Sequence, residues 1–273
     1  MASNLLGNEI EDILRSAVED ADGHLFVVDP SSETVEALVE LGTAFEGELP
    51  SVKLLAEERL LKDVMNDFLV ASSAADLVEA GDLEIRSLEA PVDNSLLVTA
   101  DRTVAVVTAG DRVAGLTTDD EAFVDTAFET YSQRFDAAEP FKLRTPSISR
   151  VRETIGENID EQTREDFDSV LSSLETARGD GDGLDEVTIT LLVAAKNDVL
   201  LYDISKWGED VGIASKATFS RTKTRLEELG LIDTEKVPID VGRPRLRLKL
   251  GDERLQDTDA EELASVAQSM IAS

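Results

Sequence analysis

Apolar residues recur at helical or strand spacing along nearly the whole chain. In residues 4 to 20, Leu5, Ile10, Ile13, Leu14 and Val18 predict one amphipathic helix, and Gly23 breaks it before the apolar run Leu25 to Val28. A helix starting at Ser31 or Ser32 carries Val35, Leu38, Val39 and Leu41 and leads to a second run, Val52 to Leu55, so the three segments read as strand, helix, strand. A helical stretch from Glu57 to Ala80 follows, and Leu83, Ile85 and Leu88 alternate as a strand. Short strands are expected at Leu96 to Thr99, Thr103 to Thr108 and Arg112 to Leu116, with turns at Asp101-Arg102 and Gly110-Asp111. Ala122 to Phe135 reads as a helix with Phe123, Ala127, Phe128 and Tyr131 on one stripe.

Past Pro146 the period stays helical. Val151, Ile155 and Ile159 mark one helix; Phe167, Val170, Leu171 and Leu174 mark a second whose stripe needs a partner surface. Gly179 to Asp185 (GDGDGLD) has the composition of a flexible linker. Asp180, Asp182 and Asp185 suggest calcium, but Leu184 and Asp185 stand where the loop needs a ligand and a glycine, and no Glu follows at the twelfth position. Asp185 then caps a helix through Val187, Ile189, Leu191, Leu192 and Ala195, ended by Asn197-Asp198. Val199 to Tyr202 is expected to be extended, Ile204 to Asp210 a brief helix with Ile204 and Trp207 inward, and Gly212 a tight turn into a third helix capped by Ser215. That helix places Phe219, Thr222, Leu226 and Leu229 on one face. Leu231-Ile232 opens a strand, Asp240 to Pro244 turns, and Leu246, Leu248 and Leu250 alternate with Arg245, Arg247 and Lys249 as a half-buried hairpin strand.

The pattern gives an α/β domain over 1–140, a helical connector over 141–178, a linker over 179–185, a winged helix-turn-helix over 186–250 and an acidic C-terminal helix over 251–273. With 273 residues and 42% hydrophobic content, each globular part has material for a core. Cysteine is absent, which excludes disulfides and thiolate metal sites, and one histidine leaves little for imidazole ligation, so no metal or cofactor is expected. Without an apolar run of membrane length or a basic leader, the chain is expected in the cytoplasm with no membrane partner.

Charge changes the picture most. The chain holds 58 acidic and 26 basic residues, a net of -32, which points to a folded protein adapted to a high-salt cytoplasm where self-repulsion is screened. Residues 213 to 249 run the other way, with nine basic side chains against five acidic, a local +4 that leaves -36 elsewhere. Hydroxyl and guanidinium groups on a third helix suit the major groove, and arginines on a wing suit phosphate or the minor groove. The candidate DNA-binding residues are Ser215, Lys216, Thr218, Ser220, Arg221, Lys223, Thr224 and Arg225 on the helix, with Arg243, Arg245 and Arg247 on the wing. Lys223 stands where many such helices carry an apolar residue, so its stem is expected to pack while its ammonium reaches phosphate.

The run KATFSRTKTRLEELGLI followed by VGRPRLRL resembles the winged helix of archaeal TrmB-like regulators, and LLYDISKWGEDVGIASKATFSRTKTRLEELGLI resembles the haloarchaeal TbsP type of metabolic regulator. That resemblance implies control of central carbon-metabolism genes, with Lys216, Thr218, Ser220, Arg221 and Thr224 at recognition-helix positions. The first domain, through GHLFVVDP, LEIRSLE and SLLVTADRTVAVVTAGDRVAGLTT, resembles phospholipase-D-like sensor domains. Catalytic members of that superfamily carry a His and Lys pair in each half. Here His24 is the one histidine and no Lys stands two positions on, so the domain is expected to be non-catalytic and the chain not an enzyme.

A small-molecule metabolite effector has one candidate site. Ser31 and Ser32 could cradle an anion at a helix start, with Arg86 or Arg102 as countercharge; equally, a serine there is a plain cap. The other candidate role for the first domain is dimerisation alone, through Phe123, Phe128, Tyr131 and the Phe167 to Leu174 stripe, and the expected protein is a homodimeric, sequence-specific regulator of double-stranded promoter DNA. The alternative is a protein-binding adaptor that uses the winged helix as an interaction module.

Overall fold

Strict alternation along three central strands sorts the first half of the chain into two apolar layers. In the computed structural model, which describes residues 5–7, 9–88, 92–110, 112–178, 183–239 and 244–272, the order is β1 (Leu5–Gly7), α1 (Ile10–Asp20), β2 (His24–Val28), α2 (Ser32–Ala44), β3 (Ser51–Glu57), α3 (Glu58–Val64), α4 (Phe68–Ala80), β4 (Leu83–Leu88), β5 (Leu96–Val98), β6 (Thr103–Ala109), β7 (Arg112–Thr118), α5 (Glu121–Ala137) and β8 (Glu139–Pro140). The strands form one sheet in the order β1-β7-β6-β5-β2-β3-β4-β8. Strands β2, β3 and β4 run parallel and the remaining pairings are antiparallel. Phe26, Val28, Leu55 and Val98 face α5, where the Phe26 ring meets Phe128 and Phe135 edge-on at 5.3 and 6.0 Å. Val52 and Leu83 belong to the opposite layer, beside Val18 of α1, Leu38 and Leu41 of α2 and Leu77 of α4.

The chain divides into two compact units, Met1–Asn66 with Ser73–Leu143, and Asp67–Ser72 with Arg144–Ser273. The second contains α6 (Ile148–Asn158), α7 (Glu161–Ser172), α8 (Glu186–Lys196), α9 (Leu201–Val211), α10 (Lys216–Glu228), β9 (Ile232–Val237), β10 (Arg245–Leu250), α11 (Glu253–Gln256) and α12 (Ala260–Ile271). One apolar cluster runs through it, from Val151 and Ile155 of α6 and Phe167 and Leu171 of α7 to Leu191 of α8, Trp207 of α9, Leu226 of α10, Leu248 of β10 and Leu263 of α12. Polar ties reinforce that packing: the Trp207 indole donates to the Thr154 hydroxyl at 3.1 Å, and the Asn197 amide donates to Asp166 at 2.8 Å.

Several sequence expectations give way here. Residues 141–178 do not form a separate connector, because α6 and α7 bury their apolar stripes in the winged-helix core, and the helix expected over 251–273 is present as α11 and α12, with α12 packed in that same core. The expected linker narrows: Leu184 is fully buried and the Asp185 side chain caps α8 by accepting from Thr188, while 179–182, with Asp180 and Asp182, lie outside the described residues. Phe167, Val170 and Leu171 are consumed by that core, and Phe128 and Tyr131 pack against the Phe26 cluster, so of the proposed dimer contacts Phe123 alone stands exposed. Leu5 lies in a strand because β1 pairs with β7, a partner more than a hundred residues away that helical spacing cannot reveal. The single helix expected over 57–80 is two helices, and the break has an identifiable cause.

That cause is Asp67. Its buried carboxylate accepts from the Leu69 amide at 2.9 Å, capping α4, and also from the Ala177 amide, the Thr176 hydroxyl and the Arg178 guanidinium. Phe68 follows, buried in the second unit's core, with its amide donating to the Ala177 carbonyl at 3.1 Å. A helix continuing through Asp67 would forfeit these bonds. Asp67→Ala leaves the buried Ala177 amide without its acceptor and uncaps α4, a loss of about 1–3 kcal/mol. Urea unfolding followed by the fluorescence of Trp207, the sole tryptophan, should show the midpoint fall; an unchanged midpoint would remove Asp67 from the anchoring role.

Candidate nucleic-acid interface

The orientation of α10 starts from a glycine in the preceding helix. Gly208 lies in the last turn of α9, and a Cβ there would stand 2.4 Å from the Phe219 ring, so the ring of α10 rests on bare backbone. The Gly208 carbonyl also accepts from Gly212 at 3.1 Å and Ile213 at 2.8 Å, which closes the turn. Gly212 takes the left-handed conformation, φ 101°, that a side chain would resist. Ser215 then caps α10 by accepting from the Thr218 amide at 3.2 Å. Phe219 and Leu226 are fully buried, and Leu229, expected inward, is 42% exposed because the helix ends at Glu228.

The opposite face of α10 presents Lys216, Ser220, Arg221, Thr224 and Arg225 to solvent, with Thr218 half-buried. Their surroundings differ. Arg221 makes no ion pair among the described residues and reaches only the Thr218 hydroxyl, at 3.4 Å. Lys216 binds Glu209 of α9, its Nζ 2.5 Å from Oε2, and the Glu209 carboxyl is held below its usual range by that hydrogen bond. Thr224 bonds the Ser220 carbonyl, and Arg225 donates to Thr188 of α8 at 3.1 Å. Lys223 does pack its stem, 12% exposed, but its ammonium is bound to Glu227 at 2.7 Å, and Glu227 also accepts from Thr234 of β9. Through Glu227 this pair ties α10 to β9 of the wing.

Strands β9 and β10 pair antiparallel from Ile232↔Leu250 to Val237↔Arg245. Arg245 stacks on the Tyr202 ring, 4.5 Å from its centroid, and meets Asp203 at 3.3 Å. Arg247 forms a bridge with Leu200, and its buried Nε has no hydrogen-bond partner among the described residues. Arg243 and Asp240 lie outside the described residues. The extended piece expected over 199–202 shortens to Val199, whose carbonyl accepts from the Leu248 amide at 3.0 Å, and Leu200, which bridges to Arg247, because α9 already begins at Leu201. Tyr202 therefore turns outward, 48% exposed, which sequence reading missed. With Ser205, Lys216, Ser220, Ile239 and Arg245 it lines an open groove of about 390 Å³ between α9, α10 and the wing.

The candidate anion site in the first unit does not assemble. Ser31 caps α2 by accepting from Thr34 at 3.2 Å, with Ser32 beside it as the first helical residue. Arg86 donates to the carbonyls of Phe135, Asp136 and Ala138, closing the end of α5, and stacks on the Phe135 ring at 4.7 Å. Arg102 pairs with Asp20, and since β5 runs antiparallel to β2 it lies at the sheet end opposite Ser31. His24 opens β2 at the surface, opposite Ser51 of β3.

A helix-turn-helix whose third helix is followed by a two-stranded wing, joined to a mixed α/β unit, defines a winged-helix protein. The match to known families then places it. The model of the TbsP-like transcriptional regulator N-terminal region matches residues 2–146, and that of the TbsP-like C-terminal HTH domain matches residues 147–268. The chain belongs to the TbsP-like transcriptional regulators, DNA-binding proteins of the helix-turn-helix kind.

No curated protein matches the sequence. Among solved structures, the archaeal chromatin protein TrmBL2, described as showing a novel mode of DNA binding, is 17% identical with a TM-score of 0.36 over 51% of this chain and 54% of that one. This chain therefore spans about half of TrmBL2. Nuc, a phospholipase D family member from Salmonella typhimurium, is 12% identical with a TM-score of 0.36 over 51% of this chain and 98% of that one. Likenesses at this level carry neither fold nor function.

Because Phe219 has no room to retreat, Gly208→Ala should cost about 1–3 kcal/mol through overpacking. In that background Phe219→Leu should recover part of the loss. Thermal melts of the two single variants and the double variant check this, and strictly additive losses would show that the two residues are not coupled.

Proposed function

We propose that this chain is a sequence-specific regulator of promoter DNA that acts as a homodimer in the cytoplasm of a halophilic archaeon, with central carbon-metabolism genes as its targets and a small-molecule metabolite acting on its α/β unit as effector. The observation that carries the reading is Arg221, an exposed guanidinium without an ion pair among the described residues, amid hydroxyls on the outward face of α10. Such a group reads guanine edges in the major groove, while Arg245 and Lys216 at the groove margins meet the backbone. One winged helix offers few base contacts, so two copies on a pseudo-palindromic site supply the remaining discrimination. The net charge of -32 supports the halophilic setting, and the resemblance to TbsP-type regulators supports the carbon-metabolism targets.

In concentrated salt the phosphate contribution weakens steeply, so base contacts carry more of the selectivity. Duplexes selected from a random pool by the full chain, then titrated by fluorescence anisotropy, provide the test. Arg221→Ala should lose about 1–3 kcal/mol of preference for the selected duplex over random duplex, whereas Arg245→Ala should weaken both alike. Equal losses on both duplexes for both variants would contradict base reading by Arg221. Failure to select any duplex would favour the adaptor that binds protein through the same face.

A further inference from the structure

Among the described residues, both cations that line the groove between α9, α10 and the wing are already engaged by carboxylates, and both carboxylates come from α9. Glu209 takes two donors at the start of α10. Its Oε2 lies 2.5 Å from Lys216 Nζ, and its Oε1 accepts from the Lys216 backbone amide at 3.3 Å. Lys216 is the first residue of that thirteen-residue helix, so Glu209 holds the position at which a phosphate oxygen would meet an unsatisfied helix amide and a lysine together. Asp203 does the same across the groove, accepting from Arg245 at 3.3 Å while Tyr202 supports the guanidinium face. The pairing is selective, because Arg221 on the same helix has no such acid among the described residues.

We infer that Glu209 and Asp203 stand in for DNA phosphates on the free protein, so that the groove's two cations must exchange a carboxylate for a phosphate before the duplex can seat. The inference rests on the DNA-binding reading above and extends it. Exchange of one anion for another yields little net attraction, so the groove contributes weakly on arbitrary DNA. On a matching site the contacts of Arg221 and its neighbouring hydroxyls supply the difference. Glu209 and Asp203 are thereby specificity determinants without touching a base. They are positioning residues that act through Lys216 and Arg245. Both pairs are partly solvated, so each restrains its cation modestly and reversibly.

The test uses the full chain, a random-sequence duplex and a duplex selected by the wild-type protein, with anisotropy titrations across a range of potassium chloride. Glu209→Gln and Asp203→Asn should each tighten random-duplex binding about threefold to tenfold at low salt. The slope of log K against log salt should stay nearly unchanged, since the same two cations meet phosphate in the bound state of the wild type and of each variant. The selected duplex should gain less, so the preference ratio falls. In a Lys216→Gln background, Glu209→Gln should change little, and the same holds for Asp203→Asn in an Arg245→Gln background.

Unaltered random-duplex affinity in both single variants would overturn the inference, as would an equal gain with Lys216 or Arg245 already replaced, which would mark a general charge effect. Absence of binding by the wild-type protein to any duplex would overturn the DNA-binding reading itself, and this inference with it. Thermal melts followed through Trp207 confirm that the near-isosteric variants are folded.

Discussion

The winged helix depends on one close approach, the Phe219 ring lying on Gly208. A methyl group on Gly208 would overlap the ring, and the same residue's carbonyl gathers the amides of the turn that follows. Steric contact and hydrogen bonding at a single residue thus set both where α9 ends and how α10 lies across it. Everything presented to a duplex follows from that placement, since Lys216, Ser220, Arg221 and Thr224 face outward only while Phe219 and Leu226 face inward.

Charge acts on two length scales in this molecule. Over the whole chain, -32 makes nearly every approach to a polyanion unfavourable, and the segment around α10 and the wing reverses sign. Within that segment, among the described residues, Lys216, Lys223, Arg245 and Lys249 are held by acids, whereas Arg221 on the outward face of α10 makes no ion pair. Lys223 is structural, because Glu227 also grips Thr234 of β9; Lys216 and Arg245 face an open groove and can be released. A count of basic residues would rank these side chains alike.

Features whose physics is local were legible in the residues. The caps at Ser31, Asp185 and Ser215 each bond an amide three positions on, and the Gly212 turn needs only a residue free of a side chain, so sequence order and spatial order agree there. The apolar stripes of α6 and α7 were visible too, but a stripe names no partner, and the partner proved to be the winged helix's own core rather than a second copy. Strand β1 and the break at Asp67 escaped because each exists through a distant segment, β7 in one case and residues 176–178 in the other. Gly208 had a weak signal, a helix-disfavouring glycine inside the α9 pattern that calls for a packing reason.

From its order of residues alone the chain specified a mixed α/β half, a helix-turn-helix with a wing, and a basic helix face in an acidic protein, because periodicity, caps and local charge are properties of neighbours. The tertiary structure decided what those groups are free to do. It placed Glu209 on Lys216 and Asp203 on Arg245, turned Tyr202 outward beneath that arginine, and set Arg102 at the sheet end opposite Ser31. Whether a cation is available to DNA depends on the acid within about 4 Å of it, and across seven or forty-two residues of intervening chain only the fold brings that acid there.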